Sequence, residues 1–161
     1  MEPSIRALRA EDIERVCEIA VAAWEPIFAG FRELLGEELF GLAHPDWRAE
    51  KASQVRWVCR NEPWHVVVTE VDGEVVGFLS YRFDEQRSMG EIGNNAVHPD
   101  FQGRGIGTAQ CRHALQAFRR QGLRCASVWT GLDDSHAPAR AMYQQVGFDR
   151  ALPGVQYWQR L

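Results

Sequence analysis

The chain is nearly devoid of lysine: among its 18 Lys and Arg residues only Lys51 is lysine. Arginine carries the rest of the positive charge, as a guanidinium that stays protonated and forks onto phosphate or carboxylate, although codon usage alone also produces such a bias. Positive charge is not in excess either, because 22 Asp and Glu leave a formal net charge of -4. That balance, with no basic stripe, opposes a nucleic-acid adaptor or a protein that coats an anionic membrane. The cysteines, Cys17, Cys59, Cys111 and Cys125, form no CxxC pair and the histidines stand at none of the zinc spacings beside them, so no metal is expected. No segment approaches the roughly 20 apolar residues that span a bilayer, and Met1-Glu2-Pro3-Ser4-Ile5-Arg6 has no apolar run behind a basic cluster. A cytoplasmic protein with reduced thiols is the expectation. Repeats, low-complexity tracts and Pro/Gly/Ser-rich linkers are missing as well. With 161 residues, 45% of them hydrophobic, residues 1–161 make one domain.

The patterning that is present alternates between periods. A short strand at 4–8 precedes Ile13, Val16, Cys17, Ala20 and Trp24 at helical spacing behind Glu11 and Asp12, with Pro26 as the stop. A second helical region spans 31–60, broken near His44-Pro45, with Asp46 as cap and Val55 and Val58 facing inward. From 64 the sequence turns β-branched on both sides of Asp72-Gly73, a hairpin signal. A third strand is expected at 89–97, a helix at 105–121 capped by Gly122, a strand at 123–130 and a helix at 138–146 ended by Gly147. Residues 148–152 and 155–159 would pair through Pro153-Gly154. These elements predict an α/β fold whose mixed, mostly antiparallel sheet has six to seven strands flanked by about four helices.

The densest chemical signal is Val97-His98-Pro99-Asp100-Phe101-Gln102-Gly103-Arg104-Gly105-Ile106-Gly107-Thr108, between a strand and a helix. Alternate glycines let backbone approach a ligand, and the free N–H groups of a helix start attract negative charge. Thr108 stands where the dinucleotide fingerprint needs glycine, and no Gly-Lys-Ser/Thr follows, so neither nucleotide motif fits. Together with Ala139-Arg140-Ala141-Met142-Tyr143-Gln144-Gln145-Val146-Gly147-Phe148, the run resembles the GNAT family of acyl-CoA-dependent N-acetyltransferases over residues 64–161. In the N-terminal third only the order of elements matches.

The resemblance implies a sheet that splays to admit the pantetheine arm of acetyl-CoA, the co-substrate. It gives Val97 backbone hydrogen bonds to that arm and a role as oxyanion donor. Gln102, Gly103, Arg104, Gly105, Ile106 and Gly107 would supply the pyrophosphate cradle, with Thr108 extending the helix start. Arg104 fits direct phosphate contact or a solvent-facing side chain equally. Tyr143 matches the tyrosine near the cofactor sulfur, a phenol suited to protonating a thiolate; periodicity alone makes it a core residue beside Met142. Glu91 lies where several members carry a general base, and otherwise reads as an exposed strand glutamate. Asn94 and Asn95 stand where they would order a catalytic water, and also suit a turn or bulge. His136 occupies the position of a usual asparagine contact to the cofactor arm, with Ser135 or Asp134 as competing helix caps. Among the N-terminal aromatics, Trp24 and Phe31 flank Pro26 and are the expected acceptor-pocket walls.

These implications describe an enzyme moving acetyl to a primary amine, on a small molecule or a protein, by direct attack. Cys111 and Cys125 have no activating base nearby in sequence, which leaves a covalent intermediate without a carrier. A non-catalytic acyl-CoA-binding module of the same fold is the rival, disfavoured because binding alone needs neither Tyr143 nor Glu91. The apolar 155–158 segment would be a hazardous free edge, so a homodimer is expected.

Overall fold

In the computed structural model, which describes residues 3–161, β2 (Val66–Val71) and β3 (Glu74–Asp84) fold back on each other through Asp72 and Gly73, at φ 54° and 82°. Two positive φ values in succession are the hairpin geometry that Asp-Gly favours. Met1 and Glu2, on which the reading of the N-terminus partly rests, lie outside the described residues. β1 (Ser4–Ala7) pairs antiparallel with the outer side of β2, and β4 (Met89–Val97) with β3. β5 (Cys125–Val128) joins β4 in parallel, completing the order β1-β2-β3-β4-β5. The sheet is therefore mixed and mostly antiparallel.

Helices cover both faces, and the strands alternate to match. Val66, Val68, Phe78 and Ala96 are buried with Val16, Ile19 and Ala20 of α1 (Ile13–Ala43) and Val55 and Cys59 of α2 (Trp47–Asn61). Val67, Leu79 and Ile92 point the opposite way, into Cys111, Ala114 and Phe118 of α3 (Ile106–Arg120) and Tyr143 of α4 (Ala137–Gln145). Neighbouring strand positions serve opposite layers because successive side chains project to opposite faces.

Asp46 caps α2 as expected, accepting from the Ala49 N–H at 3.3 Å. Pro26 does not end α1. The helix runs through it and breaks at Gly36, at φ 74° and ψ 162°. An interior proline costs about 3 kcal/mol, and packing on its far side offsets that: Phe28 stacks on Trp47 with ring centroids 4.3 Å apart. The two C-terminal strands are also not formed, so the sheet has five strands among the described residues rather than six to seven. An isolated hairpin is marginal in water, and Leu152, Val155 and Tyr157 bury nothing that would reward ordering one. The tail instead lies toward α1, with Arg160 paired to Glu38 and the Trp158 ring 6.4 Å from that of His44.

Candidate active site

β4 leaves its neighbour part-way along. It pairs with β5 only from Met89 to Ile92, opposite Cys125 to Val128, and continues to Val97 without a partner on that side. On its other side the His98 N–H donates to the Val76 carbonyl at 2.8 Å. Strand periodicity then directs the Ala96 N–H toward β3 and the Asn95 and Val97 N–H groups into the opening beside β5. A cleft of about 1470 Å³ occupies that opening and reaches both helical layers.

A bulge decides which side chains enter the cleft together. Gly93 and Asn94 both stand opposite Ser80, whose Oγ accepts from the Asn94 N–H at 2.8 Å. A Cβ on Gly93 would lie 2.7 Å from that Oγ, so a side chain there would have to displace the hydroxyl that accepts from Asn94. The extra residue reverses the alternation, and Glu91 and Asn94, three apart, share the α1/α2 face. Asn95 points the other way, its Nδ2 donating to Cys111 Sγ at 3.0 Å.

The glycine loop closes one end of the cleft. Gly103 and Gly105 have φ of 74° and 77°, and Gly105 begins α3 with no side-chain cap. Ala109 is the first helical N–H with a carbonyl partner, that of Gly105 at 3.0 Å. The N–H groups of Ile106, Gly107 and Thr108 are therefore left open at the positive end of the helix dipole. Gln102 pins the loop by donating from Nε2 to the Val97 carbonyl at 3.0 Å. Arg104 folds back, donating to the Asp100 carbonyl at 2.8 Å and covering the Phe101 ring. Bare amides facing a cleft, with no Cβ at the two left-handed positions, suit a pyrophosphate.

Tyr143 is 8% exposed, packed in the α3/α4 core yet lining the cleft. Burial, with a smaller contribution from Cys111, pushes its phenol well above the ordinary range, so it stays a neutral donor. Burial likewise raises the Cys111 thiol to about 12, which removes it as a nucleophile at neutral pH. Glu91 lines the cleft but is ion-paired with Arg82 across β3 and β4. His136 Nδ1 lies 2.7 Å from Asp133 Oδ2, Ser135 also bonds Asp133, and neither Ser135 nor Asp134 caps α4 by its side chain. Trp24 reaches the cleft. Phe31 is set back, packed against Phe28, His44 and His136 and absent from the lining.

The sequence profile of the acetyltransferase (GNAT) family matches residues 28–148, well over half of the chain. The chain belongs to the GNAT acetyltransferase family. An uncharacterized N-acetyltransferase of Methanocaldococcus jannaschii is 32% identical over 111 residues, 66% of this chain and 48% of that protein. The mycothiol acetyltransferase of Actinosynnema mirum is 36% identical over 120 residues, 71% of this chain and 39% of that protein. The chain thus spans less than half the length of either relative. The PaiA N-acetyltransferase of Thermoplasma acidophilum, solved in complex with coenzyme A, superposes with a TM-score of 0.72 at 19% identity, covering 92% of this chain and 91% of that one. At that identity the match carries the fold.

Two basic residues of this GNAT domain's cleft were not singled out by motif. Arg112 stands one helical turn beyond Thr108 and lines the cleft near the glycine loop, a position that i, i+4 spacing alone would have found. Lys51, from α2, is the other. Its Nζ donates to Asn94 Oδ1 at 2.7 Å and Gln54 Oε1 at 3.0 Å and lies 3.7 Å from the Trp24 ring centroid. Burial lowers its ammonium to about 8. The only signal in the sequence was that it is the chain's single lysine.

Proposed function

We propose that residues 1–161 form a single acetyltransferase domain that transfers an acetyl group from acetyl-CoA to a primary amine by direct attack in a ternary complex. The carrying observation is the unpaired end of β4, which offers free N–H groups within the same cleft as the open helix start and the neutral phenol of Tyr143. Acetyl-CoA supplies an activated acyl group with a good leaving thiolate. The amides of residues 103–107 and of Thr108 hold its pyrophosphate, Gln102, whose own N–H is bonded to the Pro99 carbonyl at 3.2 Å, anchors the loop by its side chain, and Arg112 adds charge within the cleft. Val97 and Asn95 receive the arm and polarise the carbonyl oxygen by their backbone N–H groups. His136, fixed by Asp133, replaces the usual asparagine contact. Tyr143 gives its proton to the departing sulfur.

On the other face of β4, Glu91 takes the proton of the incoming ammonium directly or through water held by Asn94, and Trp24 forms the wall against which an apolar or aromatic amine packs. The buried, protonated Cys111 thiol supports direct attack over an acyl-enzyme. The domain works in the cytoplasm as a homodimer. One observation favours the rival binding module: Glu91 is engaged by Arg82. A thiol-release assay with acetyl-CoA against a panel of amines separates the two. Release with at least one amine is the expected result; tight acetyl-CoA binding with no release from any amine would establish the binding module.

A further inference from the structure

Lys51 is an unusual cation. Among the described residues it forms no ion pair, as arginines 9, 60, 104, 112, 119, 120, 124 and 140 also do not, and it is set apart by burial that lowers its pKa to about 8. Its oxygen partners are two neutral amides, Asn94 Oδ1 and Gln54 Oε1. A neutral amine has two N–H groups, so this pair satisfies it completely and leaves a nitrogen lone pair uncommitted. The Trp24 face favours the ammonium, but burial opposes it and brings the pKa to about 8, so about a tenth of the amine is free at pH 7 and about half at pH 8. Placement completes the picture. Nζ is in direct contact with Asn94, the bulge residue immediately before Asn95, whose N–H opens toward the gap between β4 and β5. Lys51, Asn94, Asn95 and Val97 all line the one cleft, so the amine and those N–H groups border the same space.

We propose that Lys51 is itself an acetyl acceptor, modified in cis by the thioester bound at β4 when no other amine fills the cleft. The inference rests on the acetyl-CoA reading above. The Nζ lone pair attacks the thioester carbonyl carbon, and a C–N bond forms. The C–S bond breaks, its electron pair leaves on sulfur, and Tyr143 protonates the thiolate. The surplus proton on nitrogen passes to Glu91, which lines the same cleft on the same face of β4. The products are an Nε-acetyl amide at Lys51 and free coenzyme A. The amide cannot become an ammonium, and its added methyl occupies space beside Trp24 where an acceptor would pack, so the modified protein is closed to further amine.

Possession of one lysine makes the test direct. Purified protein is incubated with acetyl-CoA and no amine, then followed by intact mass and by peptide mapping that separates Lys51 from the α-amine. One acetyl group on Lys51 is expected, gained at least roughly tenfold faster than by the same chain unfolded in urea, as proximity demands. Excess coenzyme A and the Gly105→Val substitution should both slow it, and Lys51→Arg should take no label at an internal position. Lys51 remaining unmodified while amines are acetylated would overturn the inference and leave the proposed function standing. Equal labelling of folded and unfolded chains would overturn it too, as ordinary solution chemistry. Absence of acetyl-CoA binding altogether would instead overturn the function, and the inference with it.

Discussion

A phenol held neutral by burial and an amine pushed toward neutrality by burial lie in the same cleft, and each gives a separate measurement. Tyr143→Phe removes one hydroxyl from a packed ring, so fold and acetyl-CoA affinity should persist while turnover falls by roughly 10 to 10⁴-fold, as for loss of a positioned acid. Normal turnover in the variant would end that assignment. Lys51 titrates at about 8 in the folded chain against an ordinary 10.5. Between those values the unfolded chain holds a proton that the folded chain has shed, so stability contributed by this residue rises with pH across the window and is flat below it. Glu62, Arg82, Glu91 and Arg112 line the same cleft and are common to wild type and Lys51→Met. The difference in unfolding free energy, wild type minus variant, should therefore climb between about pH 8 and 10.5; a difference that does not change there would refute the buried, uncompensated amine. Periodicity alone made Tyr143 a core residue; its place beside a cofactor was only what the family resemblance carried by Gly147-Phe148 implied, and the residue both packs in the core and lines the cleft. Lys51 was not legible, because Asn94 and Trp24, which together with its helical neighbour Gln54 surround its amine, are distant in sequence, and no local pattern links them.

At the scale of elements, two glycines carry different loads. Gly105 starts α3 in the left-handed region with no atom within 4 Å of where a Cβ would be, so a side chain there strains the backbone and stands over the open amides. Acetyl-CoA at a hundredfold excess over Kd should stabilise the native protein by about 2.7 kcal/mol, and Gly105→Val should abolish most of the corresponding rise in melting temperature. A folded variant with the full rise would put the pyrophosphate elsewhere. Gly90 instead serves packing. A Cβ there would lie 2.3 Å from Phe118 Cγ, a fixed part of the ring in the β4–α3 interface. Gly90→Ala should cost about 1 to 3 kcal/mol, as overpacking does, measured by denaturant unfolding; a neutral substitution would mean that α3 can shift away from the sheet. The bounds of β4 were evident from sequence, whereas its bulge at Gly93-Asn94 was not. Bulges depend on the partner strand, and Ser80 lies thirteen residues upstream of Gly93.

For the molecule as a whole, the exposed tail and the free side of β5 describe an incomplete sheet. Leu152, Val155 and Tyr157 are 101%, 81% and 90% exposed, an apolar run that a folded chain ordinarily covers. A second copy of the chain is the expected cover, and solution scattering should report twice the chain mass; a monomer mass independent of concentration would exclude the dimer. The same measurement on a protein ending at residue 148 should give the monomer, since the segment proposed to associate would be gone.

Composition, the Asp72-Gly73 turn and the paired motifs at 102–107 and 143–148 determined the fold class and the order of elements up to residue 147, and the family resemblance those motifs carry implied a sheet that splays to admit the cofactor arm. These are local properties: turn chemistry, periodicity and the bare amides of a glycine-rich helix start are written in consecutive residues. Tertiary structure alone decided that α1 continues through Pro26, that residues 148–161 leave the sheet at five strands, that Glu91 pairs with Arg82 and that the single lysine enters the cleft. Each depends on what residues distant in sequence place opposite it, and burial and pairing across such distances have no signature in one segment.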